Sequence, residues 1–220
     1  PAINVTTNNE EAVVGADIVL LAVKPWLVER ILTPLKLDAS KQMFISIAAG
    51  VTFEQLSQWV APGIAMFRVM PNTPAKIGWG MTGITAGSHT TEEQKQVAAD
   101  IFNSVGQTIF VEETYMDAVC AVSGSGPAYM YQILEAMADG VLAGLPRATA
   151  YQLAAQTMAG SAMMLLETGE HPGVLKDQVT SPAGTTICGL RVMEERGVRS
   201  AMIEAVHQAY IRSKELGEKK

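Results

Sequence analysis

The first 113 residues alternate short apolar runs with amphipathic ones. Asp17 to Val23 (Asp-Ile-Val-Leu-Leu-Ala-Val) is apolar after its first residue and β-branched at several positions, the texture of a parallel strand buried on both faces. Lys24-Pro25 ends it, because proline has no N–H for a ladder and restricts the residue before it. Ile3 to Thr6 reads as a short strand, and Asn8 with Glu11 as the cap and N3 partner of a short helix. A helix is expected around Trp26 to Leu32 and a strand at Met43 to Ala48, followed by a capping box at Thr52 and Gln55. Further strands are expected near Met66 to Val69, Gly83 to Ala86 and Thr108 to Val111. A helix from about Thr91 to Asn103, capped by Thr90 and Glu93, precedes the last of them. Strands alternating with helices predict an α/β parallel sheet of the Rossmann-like type over residues 1–113.

After Glu113 the pattern becomes helical. Runs are expected at Asp117 to Ala143, with a break at Gly124 to Pro127, and at Pro146 to Glu167, Thr185 to Glu195 and Ser200 to Leu216. Gly144, Gly169, Gly197 and Gly217 suit left-handed C-caps, and Pro146 suits a first helical turn. Residues 114–220 therefore form an all-α domain, ending in a loose tail at Glu218 to Lys220. Ala154, Ala155, Met158, Ala159, Ala162, Met163, Leu165 and Leu166 leave the second long helix apolar over most of its circumference. Such a helix is buried on most sides, either in a homodimer, alone or within a higher homo-oligomer, or in a tight small-residue core of one subunit.

Composition narrows the function classes. A chain of 220 residues with 48% hydrophobic and 17% charged residues is globular. Its longest apolar run, Ile18 to Val23, is strand length and far short of a membrane span. The net charge of −6 is spread over interspersed acidic and basic residues, so neither a nucleic-acid footprint nor a membrane partner is expected. Cys120 and Cys188 lack C-x-x-C spacing, and a reducing cytoplasm is the expected location. His89, His171 and His207 form no cluster, so no metal is assigned. Ser123-Gly124-Ser125-Gly126-Pro127-Ala128-Tyr129 fails as a dinucleotide fingerprint, because its sixth position is Tyr129 and its flanks read as helix.

Two places carry candidate chemistry. Ala22-Val23-Lys24-Pro25 lies at the carboxyl end of a parallel strand, where open α/β sheets bind ligands, although Lys24 also suits a solvated loop. Ala48-Ala49-Gly50 ends the next strand with side chains small enough to admit either a planar ring or a closely packed helix. The second place is Val179 to Leu190, Val-Thr-Ser-Pro-Ala-Gly-Thr-Thr-Ile-Cys-Gly-Leu, in which Pro182 and Gly184 break regular structure beside three hydroxyl residues. A turn that opens a helix with Ser181, Thr185 and Thr186 can hold a small carboxylate on backbone N–H groups and hydroxyls, or simply cap the helix.

Residues Gln178 to Leu190 resemble the C-terminal signature of pyrroline-5-carboxylate reductases, Ser-Pro-Gly-Gly-Thr-Thr followed by an apolar helix. Ala22-Val23-Lys24-Pro25, Ala48-Ala49-Gly50-Val51, Arg68-Val69-Met70-Pro71-Asn72-Thr73-Pro74 and Ser123 to Tyr129 match that family in its order and spacing, so the resemblance covers the whole chain. Ala183 departs from it, standing where the family has glycine. The resemblance implies a homodimeric, NADPH- or NADH-dependent oxidoreductase that reduces pyrroline-5-carboxylate, a cyclic imine, in proline biosynthesis. It places Asn9 near the adenosine ribose, although capping explains a helix-start Asn equally well. It places Ala22, Val23, Lys24, Pro25, Ala48, Ala49, Met70 and Asn72 around the cofactor, with Asn72 alternatively tying its own turn. The substrate carboxylate falls to Ser181 and to the Gly184 and Thr185 N–H groups, and Thr186, the one residue given a catalytic role, to the ring nitrogen. Relative to the family, the opening at Pro1 reads as a fragment lacking roughly the first fifth, the strand, Gly-rich turn and helix that would hold the pyrophosphate. On the residues alone, another imine or β-hydroxy-acid reductase and a non-catalytic dimeric module stay open.

Overall fold

A computed structural model describes residues 3–141 and 144–218. They divide into two compact units, residues 3–127 with 206–218, and residues 128–141 with 144–205.

The first unit is built on strands β1 (Ile18–Leu21), β2 (Met43–Ser46), β3 (Ala65–Met70), β4 (Gly80–Ala86) and β5 (Gly106–Phe110), hydrogen-bonded in that order. Pairings β1–β2, β2–β3 and β4–β5 are parallel, but β3–β4 is antiparallel. The expected Rossmann-like parallel sheet is present, with this one antiparallel step. Residues 71–79 are too few for a crossover, so the chain turns straight back. Helix α1 (Asn9–Val13) precedes β1, and α2 (Val28–Leu32), α3 (Phe53–Leu56) and α4 (Glu92–Asn103) lie between strands.

Side-chain alternation along the strands sorts the core into two layers. Phe44 packs on one face with Leu21, Val28, Leu32, Leu56 and Ile64, while Ile45, Phe67, Val69 and Ile84 pack on the other with Ala98 and Phe102 of α4. Each fully buried side chain of this size contributes about 1.5–3 kcal/mol. On the first face Arg68 is buried, its Nη1 donating to Glu113 Oε1 at 2.6 Å, and the same oxygen accepts the Phe53 N–H at 2.7 Å.

Several local expectations need correction. Ile3 to Thr6 forms no strand; Ile3 and Val5 are 85% and 89% exposed, with no neighbour to pair with among the described residues. Nor is β1 buried on both faces. It is an edge strand in which only Leu21 is buried and Leu20 is 49% exposed. The Thr52–Gln55 capping box is present. The one before α4 sits a residue later than expected, on Thr91 and Gln94, while the Thr90 hydroxyl donates to the Gly87 carbonyl at 2.7 Å.

The helical region opens with α5 (Met116–Val119), a π-helical turn at Cys120–Gly124 and α6 (Gly126–Asp139). The expected break at Gly124 to Pro127 is thus a widened turn, closed by Ser125 N–H on Cys120 O at 2.9 Å. Residues 142 and 143, the expected end of that helix, and 219 and 220 of the expected tail lie outside the described residues. Then follow α7 (Arg147–Thr168), α8 (Pro172–Gln178), α9 (Thr185–Glu195) and α10 (Val198–Glu218). Gly169 and Gly197 are left-handed just past helix ends as expected, but Gly217 is helical, inside the last turn of α10. Of α7 only Ala150 and Ala154 are buried, while Leu153, Met164 and Leu166 stand exposed. Residues 198–205 of α10 belong to the second unit and 206–218 to the first.

Candidate active site

In the first unit the register aligns Leu21 with Ser46 and Ser46 with Arg68. The carboxyl ends of three parallel strands therefore coincide, and Ala22–Pro25, Ala48–Gly50 and Met70–Asn72 leave the sheet along one edge. That edge is where open α/β sheets bind ligands. Lys24 is exposed and extended, its carbonyl accepting the Leu27 N–H, and its ammonium has no partner among the described residues. Ala22 is exposed, Val23 and Pro25 half-buried. Ala48 is buried and Ala49 half-buried, and the chain turns at Gly50 with φ +77°. Ala48, Ala49 and Met70 line one small cleft with Met116 and Cys120. Its volume, 10 Å³, holds about one water and no ring. An open cavity of 880 Å³ in the same unit, lined by Phe53, Met66, Phe110 and Glu112, contains none of the residues singled out from the sequence.

Asn72 has both ends of its amide engaged. Nδ2 donates to Ser123 O at 3.1 Å and Oδ1 accepts the Met81 N–H at 2.9 Å. It ties its turn to β4 and to the π-helical turn, a wider role than the local Asx bond that sequence suggests. Asn9 is not the cap of α1. That is Asn8, whose Oδ1 accepts the Glu10 N–H at 3.0 Å, and the exposed Asn9 amide has no partner among the described residues.

In the second unit, α8 and α9 flank the turn Ser181-Pro182-Ala183-Gly184. Gly184 N–H donates to Ser181 O at 3.1 Å and Ala183 has φ +57°, which with Pro182 at the second position is the pattern of a type II turn. Among the described residues Ala183 is the one non-glycine with positive φ. A Cβ on Gly184 would collide with the Ser181 hydroxyl as it is placed, so a larger residue there must turn that hydroxyl away. Gly184 is the N-cap of α9, without a side-chain cap bond. This arrangement corrects one assignment: the Gly184 N–H is spent inside the turn and does not face a ligand. The Thr185 and Thr186 N–H groups begin α9 without intrahelical partners, and the Ser181, Thr185 and Thr186 hydroxyls have none among the described residues. Donors so grouped at the positive end of a helix suit an anion.

Comparison with known proteins accords with this geometry. Residues 113–216 match the family model for pyrroline-5-carboxylate reductase dimerisation, and residues 2–50 that for NADP oxidoreductase, coenzyme F420-dependent. The pyrroline-5-carboxylate reductase of Synechocystis sp. is 50% identical over 218 residues, covering 99% of this chain and 81% of its own length. The chain belongs to the pyrroline-5-carboxylate reductase family. Among solved structures, a family member from Coxiella burnetii superposes with a TM-score of 0.89 at 38% identity, over 97% of this chain and 81% of that one. The Plasmodium falciparum pyrroline carboxylate reductase, solved with NADP bound, gives 0.90 at 34% identity, over 96% and 81%.

Within this family member, sequence reasoning passed over several residues that shape the site. Ser123 belongs to a segment that fails as a fingerprint and matches the family without a role of its own, yet its carbonyl holds Asn72. Asp117 accepts the buried Ser213 hydroxyl at 2.6 Å beside Cys120, whose thiol is pushed above its ordinary range chiefly by burial. No sequence spacing links positions 117 and 213; a helical period on α10 marks Ser213 only as one more polar residue.

Proposed function

We propose that this chain catalyses the NADPH- or NADH-dependent reduction of pyrroline-5-carboxylate to L-proline, an oxidoreductase reaction on a CH–NH group. The observation that carries the reading is the turn at Ser181–Thr186, with free N–H groups and hydroxyls converging at the start of α9 in a member of this family. The reduced nicotinamide supplies the hydride when bound. Asn9, Ala22, Val23, Lys24, Pro25, Ala48, Ala49, Met70 and Asn72 are the residues assigned to the cofactor. Asn9 and Lys24 have polar groups free to meet it, Ala48 and Ala49 present only small side chains to it, and Asn72 fixes the turn beside it.

The substrate needs one carboxylate neutralised and one planar ring oriented. Ser181 Oγ and the Thr185 and Thr186 N–H groups take the carboxylate, helped by the α9 dipole, while Gly184 shapes the turn. The Thr186 hydroxyl hydrogen-bonds the ring nitrogen. A threonine hydroxyl is a poor proton donor at neutral pH, so Thr186 positions the ring or relays a proton from water.

The functional division falls near residue 113, cofactor half before and substrate and dimerisation half after. The apolar residues exposed on α7, together with Ile187, Val192 and Ile203, are then covered in a homodimer or a higher homo-oligomer. Among the described residues no helix is long and apolar enough to cross a membrane. We place the enzyme in the cytoplasm, without nucleic-acid or membrane partners.

The test is NADPH consumption by the full-length protein with pyrroline-5-carboxylate varied. Saturable turnover to proline is expected, and its absence would overturn the reaction. Thr186→Ala is expected to remove about 1–3 kcal/mol of transition-state stabilisation; kcat/KM within twofold of wild type would reject its role.

A further inference from the structure

We propose that the C-terminal end of α10 positions the cofactor-binding loop after β2, making Gly217 and Gln55 determinants of cofactor affinity although neither touches the cofactor. This rests on the assignment of Ala48 and Ala49 to the cofactor edge.

The loop is anchored by Ala48 and Val51 in the core and by the Ala48 N–H on Ser46 Oγ at 3.3 Å, but Gly50 between them presents only backbone. After Ser46 the chain runs through Ala48 and Ala49, reverses at Gly50 with φ +77° and enters α3 at the Thr52 cap. Against it lies bare backbone. A Cβ on Gly217 would sit 2.5 Å from Gly50 O, and one on Gly50 would lie 3.2 Å from Gly217 N and 3.4 Å from Ser213 O. Gly50 thus meets two demands, a left-handed turn and a close approach, and Gly217 meets the second from the other side.

Gln55 joins the same point. Its Oε1 accepts the Thr52 N–H at 2.9 Å and its Nε2 donates to Gly217 O at 2.8 Å, so one amide ties the start of α3 to the end of α10. Four residues back, the Ser213 hydroxyl bonds Asp117 at 2.6 Å and anchors α10 to α5. The loop carrying Ala48 and Ala49 is clamped directly after those residues by chain more than 160 positions away. A backbone clamp has no slack, because any side chain at Gly217 must push either the Gly50 carbonyl or the helix end aside.

Two variants separate positioning from plain packing. Gly217→Ala introduces the clashing Cβ while replacing glycine by the better helix former. Gln55→Glu keeps the capping acceptor for Thr52 N–H and removes the donor to Gly217. NADPH affinity is measured by calorimetric titration of the full-length protein, together with steady-state kinetics and melting temperature. The proposal expects the NADPH Kd and KM of Gly217→Ala to rise on the order of tenfold, equivalent to about 1.4 kcal/mol. The kcat and the KM for the imine stay within twofold. Gln55→Glu moves the same way by less, and the double variant falls short of the product of the two because both act through one contact. A merely structural role predicts unchanged NADPH affinity, with the melting temperature of Gly217→Ala lowered by the clash with Gly50 O. If Gly217→Ala fails to fold, Gln55→Glu decides alone. NADPH Kd values within twofold of wild type in the folded variants overturn the clamp and leave the reductase reading standing. A wild-type protein that does not bind NADPH overturns the cofactor assignment and the clamp with it.

Discussion

Ala183→Gly is expected to stabilise this protein, against the usual direction of glycine substitutions. Ala183 is exposed, so its methyl group contributes little packing, and its φ of +57° is imposed by the type II turn between Ser181 and Gly184. Holding an L-residue in the left-handed region costs about 1–2 kcal/mol, from crowding between Cβ and the following carbonyl oxygen. Glycine removes that cost but widens the unfolded ensemble, which costs about 0.4–1 kcal/mol. Taking the middle of each range, about 1.5 less about 0.7 leaves a net gain of about 0.8 kcal/mol. In a chain of this size that corresponds to a rise of roughly 2–3 °C in melting temperature. Ala183→Val works in reverse, because a branched Cβ is still less compatible with positive φ.

Urea and thermal unfolding of wild type, Ala183→Gly and Ala183→Val provide the measurement, with kcat/KM for pyrroline-5-carboxylate alongside. Stability should rank glycine above alanine above valine. The kcat/KM of Ala183→Gly should stay within about threefold of wild type, since the donors on α9 are set by the helix and not by this side chain. If glycine proves less stable than alanine, or all three melt together, Ala183 is not left-handed in the folded protein. The Ser181–Gly184 turn, and the loss of the Gly184 N–H as a ligand donor, would then have to be withdrawn.

Two further outcomes follow from single side chains. Asn72→Ala leaves the Met81 N–H and the Ser123 carbonyl without their partner and should lose about 1–3 kcal/mol in urea unfolding; an unchanged midpoint would mean that the amide does not hold this turn. Burial, reinforced by the Asp117 carboxylate and opposed by the Ser213 hydrogen bond, keeps Cys120 a thiol at neutral pH, so iodoacetamide followed by mass spectrometry should modify exposed Cys188 well before Cys120. Because the Cys120 pKa is raised on folding, its contribution to stability is complete below the ordinary thiol value of about 8.5 and is lost as pH climbs through the higher folded value. Labelling of Cys120 as fast as Cys188 at pH 7 would contradict the burial argument.

What could be read from the sequence was what short-range chemistry decides. Thr52 and Gln55 form the capping box their spacing predicts, because both halves lie within one helical turn. At Thr90 and Thr91 the same rule has two solutions; Thr91 and Gln94 form the box, and the Thr90 hydroxyl donates to Gly87 outside it. Helix α8 carries little sequence signal because it is short and holds Gly173, and because its cap is unusual: His171 Nδ1 accepts the Gly173 N–H at 3.0 Å. Strand direction has no periodicity at all. Alternation identifies β4 as a strand, yet its reversal follows from the length of the link before it.

The site divides along the same line. Pro182, Gly184 and the three hydroxyls marked a donor-rich helix start, and the family signature supplied its ligand. That the Gly184 N–H turns inward depends on φ at Ala183, which a residue name does not specify. Gly217 makes the point most sharply. By local rules a glycine near the end of a helical run is a left-handed cap, but here it stays helical, and the Gly50 carbonyl, distant in sequence, lies where its side chain would be. A glycine's local and long-range reasons look identical in sequence, and substitution separates them: alanine should be damaging at a left-handed cap through its φ, whereas at Gly217 the backbone tolerates alanine and the damage should appear in the loop it presses against.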